Sequence, residues 1–217
     1  EWNTLVEFKE QKQKSGNIKW VSKELKKIDN FESIEKKYKT SSVELNNLLS
    51  WWITAWSVIL LSWEPWIWKS TLALQIASWF EWNVIYISWE ETENQIWQRA
   101  KRLEINSNSI SLLSENNLEN ILETIVWQKA DLIILDSVSV ITSSITTWRA
   151  WSINQVKEVA EKMVDFSKTT NTTTIIIWHV NKDWNLAWPK TLEHLVDTVL
   201  YFEWERYPCR PAAWCRA

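Results

Sequence analysis

Ser57-Val-Ile-Leu-Leu-Ser-Trp-Glu-Pro-Trp-Ile-Trp-Lys-Ser-Thr71 runs from an apolar strand-like stretch into a lysine and two hydroxyl residues. With glycine at Trp63, Trp66 and Trp68, its second half becomes G-E-P-G-I-G-K-S-T. That is a complete G-x-x-x-x-G-K-[ST] phosphate-binding loop, following a strand and opening a helix as the motif requires. Composition supports the substitution. The 217 residues include 20 Trp and a single glycine, Gly16, whereas glycine usually makes up about 7% of a chain. One exchange accounts for both anomalies: a codon meaning glycine in the source organism has been written as Trp. Some bacterial lineages read UGA as glycine, and an alternative code reads it as Trp.

The physics of the loop agrees. Its backbone N–H groups wrap the phosphates, and glycine is needed where φ is positive or where backbone must touch the ligand. Three indoles at 63, 66 and 68 would occupy the space of phosphate oxygens. The literal chain is therefore expected to bind ATP poorly and the glycine form to bind it well. The competing reading is a Trp-rich binding protein taken as printed.

Outward from the loop, apolar runs alternate with helical patterns. Strands are expected over 57–62, 83–88, 110–113, 131–136, 173–177 and 198–202. Helices are expected over 69–77, 92–103 and 152–168, with a helical stripe formed by Leu118, Ile121, Leu122 and Ile125. Unbroken apolar strands separated by helices predict an α/β fold, with a mainly parallel sheet covered on both faces. Most Trp residues fall between these elements, including Trp51, Trp52, Trp56, Trp82, Trp89, Trp148, Trp151, Trp184 and Trp188, where glycine belongs.

Residues 1–44 lack sustained periodicity and read as a linker-like segment, with short helical patches near Leu25 and Ile34. Residues 45–206 read as the core. Residues 207–217 change abruptly to Arg, Ala and Pro and contain both cysteines, Cys209 and Cys215. That tail reads as a frameshift or contig end, and two cysteines alone make no zinc site. The chain begins with Glu1 and is expected to be a fragment. A net charge of −3 makes no electrostatic case for nucleic acid. No signal peptide and no run of 18 apolar residues is present, so a cytoplasmic protein without a membrane partner is expected.

Several residues carry candidate chemistry. Trp63, Glu64, Pro65, Trp66, Ile67, Trp68, Lys69, Ser70 and Thr71 form the nucleotide loop. Lys69 is expected at the β- and γ-phosphates and Ser70 on Mg²⁺. Leu132-Ile-Ile-Leu-Asp136 offers a strand ending in an acid that can join the Mg²⁺ shell. Glu90 and Glu91 follow another strand end, where α/β sheets bind ligands. Either can orient and deprotonate an attacking water, or simply complement a helix N-terminus; Glu90 is the preferred base. His179 ends a strand and reads equally as a γ-phosphate contact or as a structural residue. The loop 181–190, with Lys182 and Lys190, is a candidate DNA contact. His194, between Leu192 and Leu195, is expected to be a core histidine.

Taken together, these strings resemble the bacterial RadA (Sms) family of RecA-like recombination ATPases. Beyond the nucleotide loop, the likeness rests on Leu49-Ser-Trp-Trp-Ile, Tyr86-Ile-Ser-Trp-Glu-Glu91, Arg99-Ala-Lys-Arg-Leu103, Leu113-Ser-Glu, Leu135-Asp-Ser137, Ser152-Ile-Asn-Gln-Val156, Trp178-His-Val180 and the stretch from Trp188 to Glu203. It covers about 45–206. Glu1-Trp-Asn-Thr-Leu-Val-Glu7 looks like the segment after that family's four-cysteine zinc ribbon, which makes Trp2 a true Trp. The resemblance implies ATP and Mg²⁺ as cofactors, with zinc in the full-length protein only. It also implies ATP-driven branch migration of recombination intermediates by a homohexamer on single-stranded DNA, with a RecA-type recombinase as partner. The chain departs from the family in lacking the zinc ribbon, the K-N-R-F-G motif expected after Arg206 and the Lon-protease-like domain. A RecA-fold regulatory ATPase that switches protein partners without DNA is the alternative.

Overall fold

Alternating apolar residues decide which way each strand faces, and the helices cover both sides. The computed structural model describes residues 36–49, 52–63, 69–105, 108–145, 150–179, 192–202 and 214–216. In chain order the elements are β1 (Lys37–Tyr38), α1 (Val43–Leu48), β2 (Ile53–Thr54), β3 (Val58–Trp63), α2 (Lys69–Ser78), β4 (Val84–Ser88), α3 (Glu93–Arg102), β5 (Ile110–Leu113), α4 (Leu118–Gln128), β6 (Leu132–Asp136), α5 (Ile153–Thr170), β7 (Thr173–His179), β8 (Thr198–Phe202) and β9 (Trp214–Arg216). The main sheet has the order β5-β4-β6-β7-β3-β8-β9. Its first six strands are parallel, and β9 joins β8 antiparallel. The expected α/β architecture is therefore present. β1 and β2 form a separate antiparallel pair.

Period-2 alternation divides the core. Ile59, Leu61, Val84, Tyr86, Leu132 and Ile134 face one cluster with residues of α1, α2 and α3. Val58, Leu60, Ile85, Ile87, Ile133 and Leu135 face the other, with α4 and α5. The same alternation sends Asp136 to the α2 side, because it lies two residues beyond Ile134. Polar side chains set the helix starts. Thr92 and Gln95 form a capping box at α3, while Ser42, Asn117 and Ser152 cap α1, α4 and α5. Asn171 and Lys129 end α5 and α4 in the left-handed region.

Tyr38, ahead of the expected 45–206 core, is buried in the α2-side core beside Leu45. The patches near Leu25 and Ile34 lie outside the described residues. His194 departs from expectation. It is exposed on a turn, while Leu192 is buried and Leu195 partly so; helix gives way to a turn at His194 itself, which leaves the imidazole exposed.

Among the described residues, two tryptophans occupy backbone suited to glycine. Trp56 has φ 73° and Trp151 φ 67°, where a side chain with a Cβ costs about 1–3 kcal/mol and glycine costs nothing sterically. Trp127 is 86% exposed on α4. Trp82 differs, its ring centroid lying 4.6 Å from that of Tyr38 with the planes tilted by 58°.

Candidate nucleotide site

Parallel strands end at one edge, and the polar residues that follow them meet there. Lys69 begins α2. After β4 the chain turns through Trp89, Glu90 and Glu91 before Thr92 caps α3. Asp136 ends β6, with Ser88 of β4 as its register partner. The Lys69 ammonium ion-pairs with the Glu90 carboxylate and lies 3.6 Å from Asp136 Oδ1. The Ser137 hydroxyl donates to Glu90 Oε1 at 2.7 Å and shares a hydrogen bond with Ser139 at 2.7 Å. Three of the residues picked from sequence, Lys69, Glu90 and Asp136, thus converge.

Asp136 is only 2% exposed. Tyr86 donates to its Oδ2 at 2.6 Å, while Oδ1 has no hydrogen-bond partner. A buried carboxylate oxygen left in that state is costly, and a nearby cation or its water shell would offset the cost. Ser70, one residue after Lys69, is also buried in the first turn of α2. A hydroxyl at a helix start and an open carboxylate oxygen are hard donors, so this set fits Mg²⁺. Bound there, Mg²⁺ would neutralise phosphate charge. Lys69 supplies a second positive charge on the same side.

The two glutamates separate by their partners. Glu91 is gripped by Arg99, whose Nη2 donates to Oε1 at 2.8 Å and whose Nη1 donates to Oε2. That fork holds both Glu91 oxygens, and it raises the Arg99 pKa above its ordinary value. Glu90 instead faces Lys69 and Ser137. The turn carrying Ser137 and Ser139 is fastened from α5. Gln155, buried in the core, donates from Nε2 to the Val138 carbonyl at 3.3 Å and also to that of Ile141.

Thr71 is half-buried in α2. Trp63 ends β3, and its backbone pairs in register with His179 at the end of β7, so both lie at the same sheet edge. Glu64, Pro65, Trp66, Ile67 and Trp68, together with Lys182 and Lys190, lie outside the described residues. Ser137, Tyr86 and Arg99 had no role assigned from sequence. A tyrosine inside an apolar strand was the one visible signal, because a buried hydroxyl needs a partner.

No model of a known protein family matches the chain. Curated proteins do. DNA repair protein RadA of Aquifex aeolicus is 40% identical over 210 residues, covering 95% of this chain and 47% of the relative. The proteins of the same name from Listeria monocytogenes (36% over 214 residues, 95% and 47%) and Chlamydia muridarum (39% over 208 residues, 94% and 46%) are similar too. The chain spans about half the length of these curated relatives. Among solved structures, a KaiC-like protein from Pyrococcus horikoshii OT3 superposes with a TM-score of 0.65 at 14% identity, over 83% of this chain and 86% of that one. The fold is α/β and RecA-like, of the P-loop class. With identity at this level sustained over 95% of its length, the chain is homologous to about half the length of the proteins named DNA repair protein RadA.

Proposed function

We propose that this chain is the nucleotide-hydrolysing core of a DNA repair ATPase. One observation carries the reading: Lys69, Glu90 and the open oxygen of Asp136 meet at the carboxyl edge of the sheet, beside the start of α2. Lys69 and Ser70 would hold the phosphates and Mg²⁺, with Asp136 completing the metal's shell. Glu90 would take the proton of the attacking water, its carboxylate kept in place by Ser137. Phosphate would draw Lys69 from its ion pair with Glu90 and leave Glu90 to the water. Glu91, locked by Arg99, is poorly placed for that task.

The loop 63–68 works in this scheme only with glycine at 63, 66 and 68. The positive φ angles of Trp56 and Trp151 support the same exchange at two further positions. The codons test it: UGA at these positions supports glycine, and UGG refutes it.

At a finer level, the chain would serve branch migration of recombination intermediates on single-stranded DNA. It would act in the cytoplasm, as a homohexamer alongside a RecA-type recombinase, with zinc held elsewhere in the full-length protein. The family resemblance supports this, and the names of the relatives support a role in DNA repair. His179, whose backbone reaches the nucleotide edge, would pass nucleotide state to the loop 181–190, where Lys182 and Lys190 would touch DNA phosphates. Two cations per copy are few, so useful affinity needs several loops acting together and should weaken with salt.

The test is steady-state ATP hydrolysis by the natural full-length protein, with and without single-stranded DNA. Glu90→Gln should retain nucleotide binding and lose turnover by roughly 100-fold or more, the scale of a general base. Equal loss of binding and turnover would remove Glu90 from the role. Turnover that DNA leaves unchanged would favour a regulatory ATPase that switches protein partners.

A further inference from the structure

Tyr86 lies in the middle of β4, flanked by Ile85 and Ile87, and reads as one more buried strand residue. Its ring is fully buried in the α2-side core. Its hydroxyl, however, reaches along the sheet to Asp136 at the end of the neighbouring strand, 2.6 Å from Oδ2. Register explains the reach. Tyr86 pairs with Ile134 and Ser88 pairs with Asp136, so the side chains of Tyr86 and Asp136 share a face and lie diagonally across the β4–β6 pair.

The hydrogen bond makes the two carboxylate oxygens unequal. Oδ2 is occupied by the phenol. Oδ1 has no hydrogen-bond partner and lies 3.6 Å from the Lys69 ammonium. A carboxylate without that bond is free to turn about its terminal torsion, where rotamer preference is broad. With the bond, one oxygen is held by the phenol and the other is left on the side of the Lys69 ammonium.

We infer that Tyr86 is a positioning residue for the divalent cation that accompanies the nucleotide, acting through Asp136 by aiming Oδ1 at the ion's hydration shell. The inference rests on the function proposed above. It adds a residue two positions before the end of β4 to a site otherwise made of strand-end, loop and helix-start residues. Partners of this kind, which orient a ligand without touching the metal, typically change metal affinity or activity by about 10–100-fold when removed.

The experiment is equilibrium binding of a fluorescent ADP analogue to the natural full-length protein, followed by anisotropy across a Mg²⁺ titration and again in EDTA. Tyr86→Phe keeps the ring volume and removes only the hydroxyl. The Mg²⁺ concentration for half-maximal enhancement of binding should rise about 10-fold, while affinity in EDTA stays at the wild-type value. In an Asp136→Asn background, Tyr86→Phe should add no further Mg²⁺ effect, because a residue acting through Asp136 has nothing left to aim. An unchanged Mg²⁺ midpoint overturns the inference. So does an equal fall in affinity with and without Mg²⁺, which marks a purely structural tyrosine. Wild-type protein that binds the analogue with no Mg²⁺ dependence overturns the nucleotide-site reading itself and the inference with it.

Discussion

β6 is flanked by two aspartates with the same kinds of partner. Asp131, just before the strand, accepts hydrogen bonds from Lys36 Nζ at 2.8 Å and Tyr38 Oη at 3.1 Å. Asp136, at its end, accepts one from Tyr86 at 2.6 Å and lies 3.6 Å from Lys69. Each acid thus has one lysine and one tyrosine, yet the two settings differ physically. The Asp131 side chain is 26% exposed, against 2% for Asp136. At Asp131 water completes the solvation and the pair works as a surface clasp. At Asp136 there is little water, and one oxygen is left without a hydrogen bond. An acid at a strand end is therefore not a site on residue type alone. Desolvation together with incomplete satisfaction distinguishes it.

The largest expected effect follows from that contrast. Asp136→Asn removes a charge the nucleotide-bound state needs, and ATP hydrolysis should fall by roughly 100-fold or more, on the scale of lost metal stabilisation. The nucleotide-free protein should be close to wild type in stability, because a buried charge with one oxygen lacking a hydrogen bond becomes a neutral amide that can still accept from Tyr86, while Lys69 keeps its ion pair with Glu90. Parallel turnover assays and apo thermal melts check both halves. Retained turnover with a destabilised apo protein would make Asp136 a structural acid of the Asp131 kind.

Much of this was legible in the chain itself. The apolar runs of β3, β4, β6 and β7 announce buried parallel strands, and the rule that ligands sit at their carboxyl ends brings Lys69, Glu90 and Asp136 together from the chain alone. What stayed hidden depends on register and on side-chain reach. The Tyr86–Asp136 bond requires knowing that β4 lies beside β6 in the register Ser88↔Asp136, which no local pattern encodes. The Arg99–Glu91 fork joins residues eight apart across a helix start, so α3 must first be placed. Ser137 meets Glu90 only because their strands are neighbours. β1 and β2, with two residues each, are too short to show a period. His194 sits in a sequence pattern that looks helical, but the chain turns there.

A middle-sized effect is expected at Glu119, in the first turn of α4. It accepts from Ser143 Oγ at 2.7 Å and Ser144 N–H at 2.9 Å and pairs with Lys162 at 3.4 Å, tying the segment after β6 to α4 and α5. Burial pushes its carboxyl up, but the hydrogen bonds from Ser143 and Ser144 and the pairing with Lys162 outweigh this and bring it down to about 2 from an ordinary 4.5. A carboxyl with a lowered native pKa stabilises the fold fully above its ordinary value. That contribution is lost as pH falls from 4.5 toward 2. Glu119→Gln should cost roughly 1 kcal/mol at pH 7, discounted for partial exposure, and the difference from wild type should vanish near pH 2. Denaturant unfolding across pH measures it, and a pH-independent difference would mean that packing, not charge, is responsible.

The smallest effect belongs to Asp131, the counterpart of Asp136. Burial pushes its carboxyl up, and the hydrogen bonds from Lys36 and Tyr38 more than reverse the shift, so its pKa lies below the ordinary 3.8. The sign matches that of Glu119: the stabilisation is complete above 3.8 and is lost as pH falls through the lower native value. Its size is limited by the partner, since the Lys36 side chain is 62% exposed and water and salt screen the pair. Asp131→Asn should therefore cost about 0.2–1 kcal/mol, the range of surface ion pairs. The cost should shrink in 1 M salt, where the screening length is about 3 Å. Mg²⁺-dependent nucleotide binding should stay at the wild-type level, because the clasp lies at the opposite end of β6 from the site. Denaturant melts at low and high salt, with a nucleotide titration of the same sample, test all three statements. Weakened Mg²⁺-dependent binding in Asp131→Asn would show that the two ends of β6 are coupled, and the separation of clasp from site would fail.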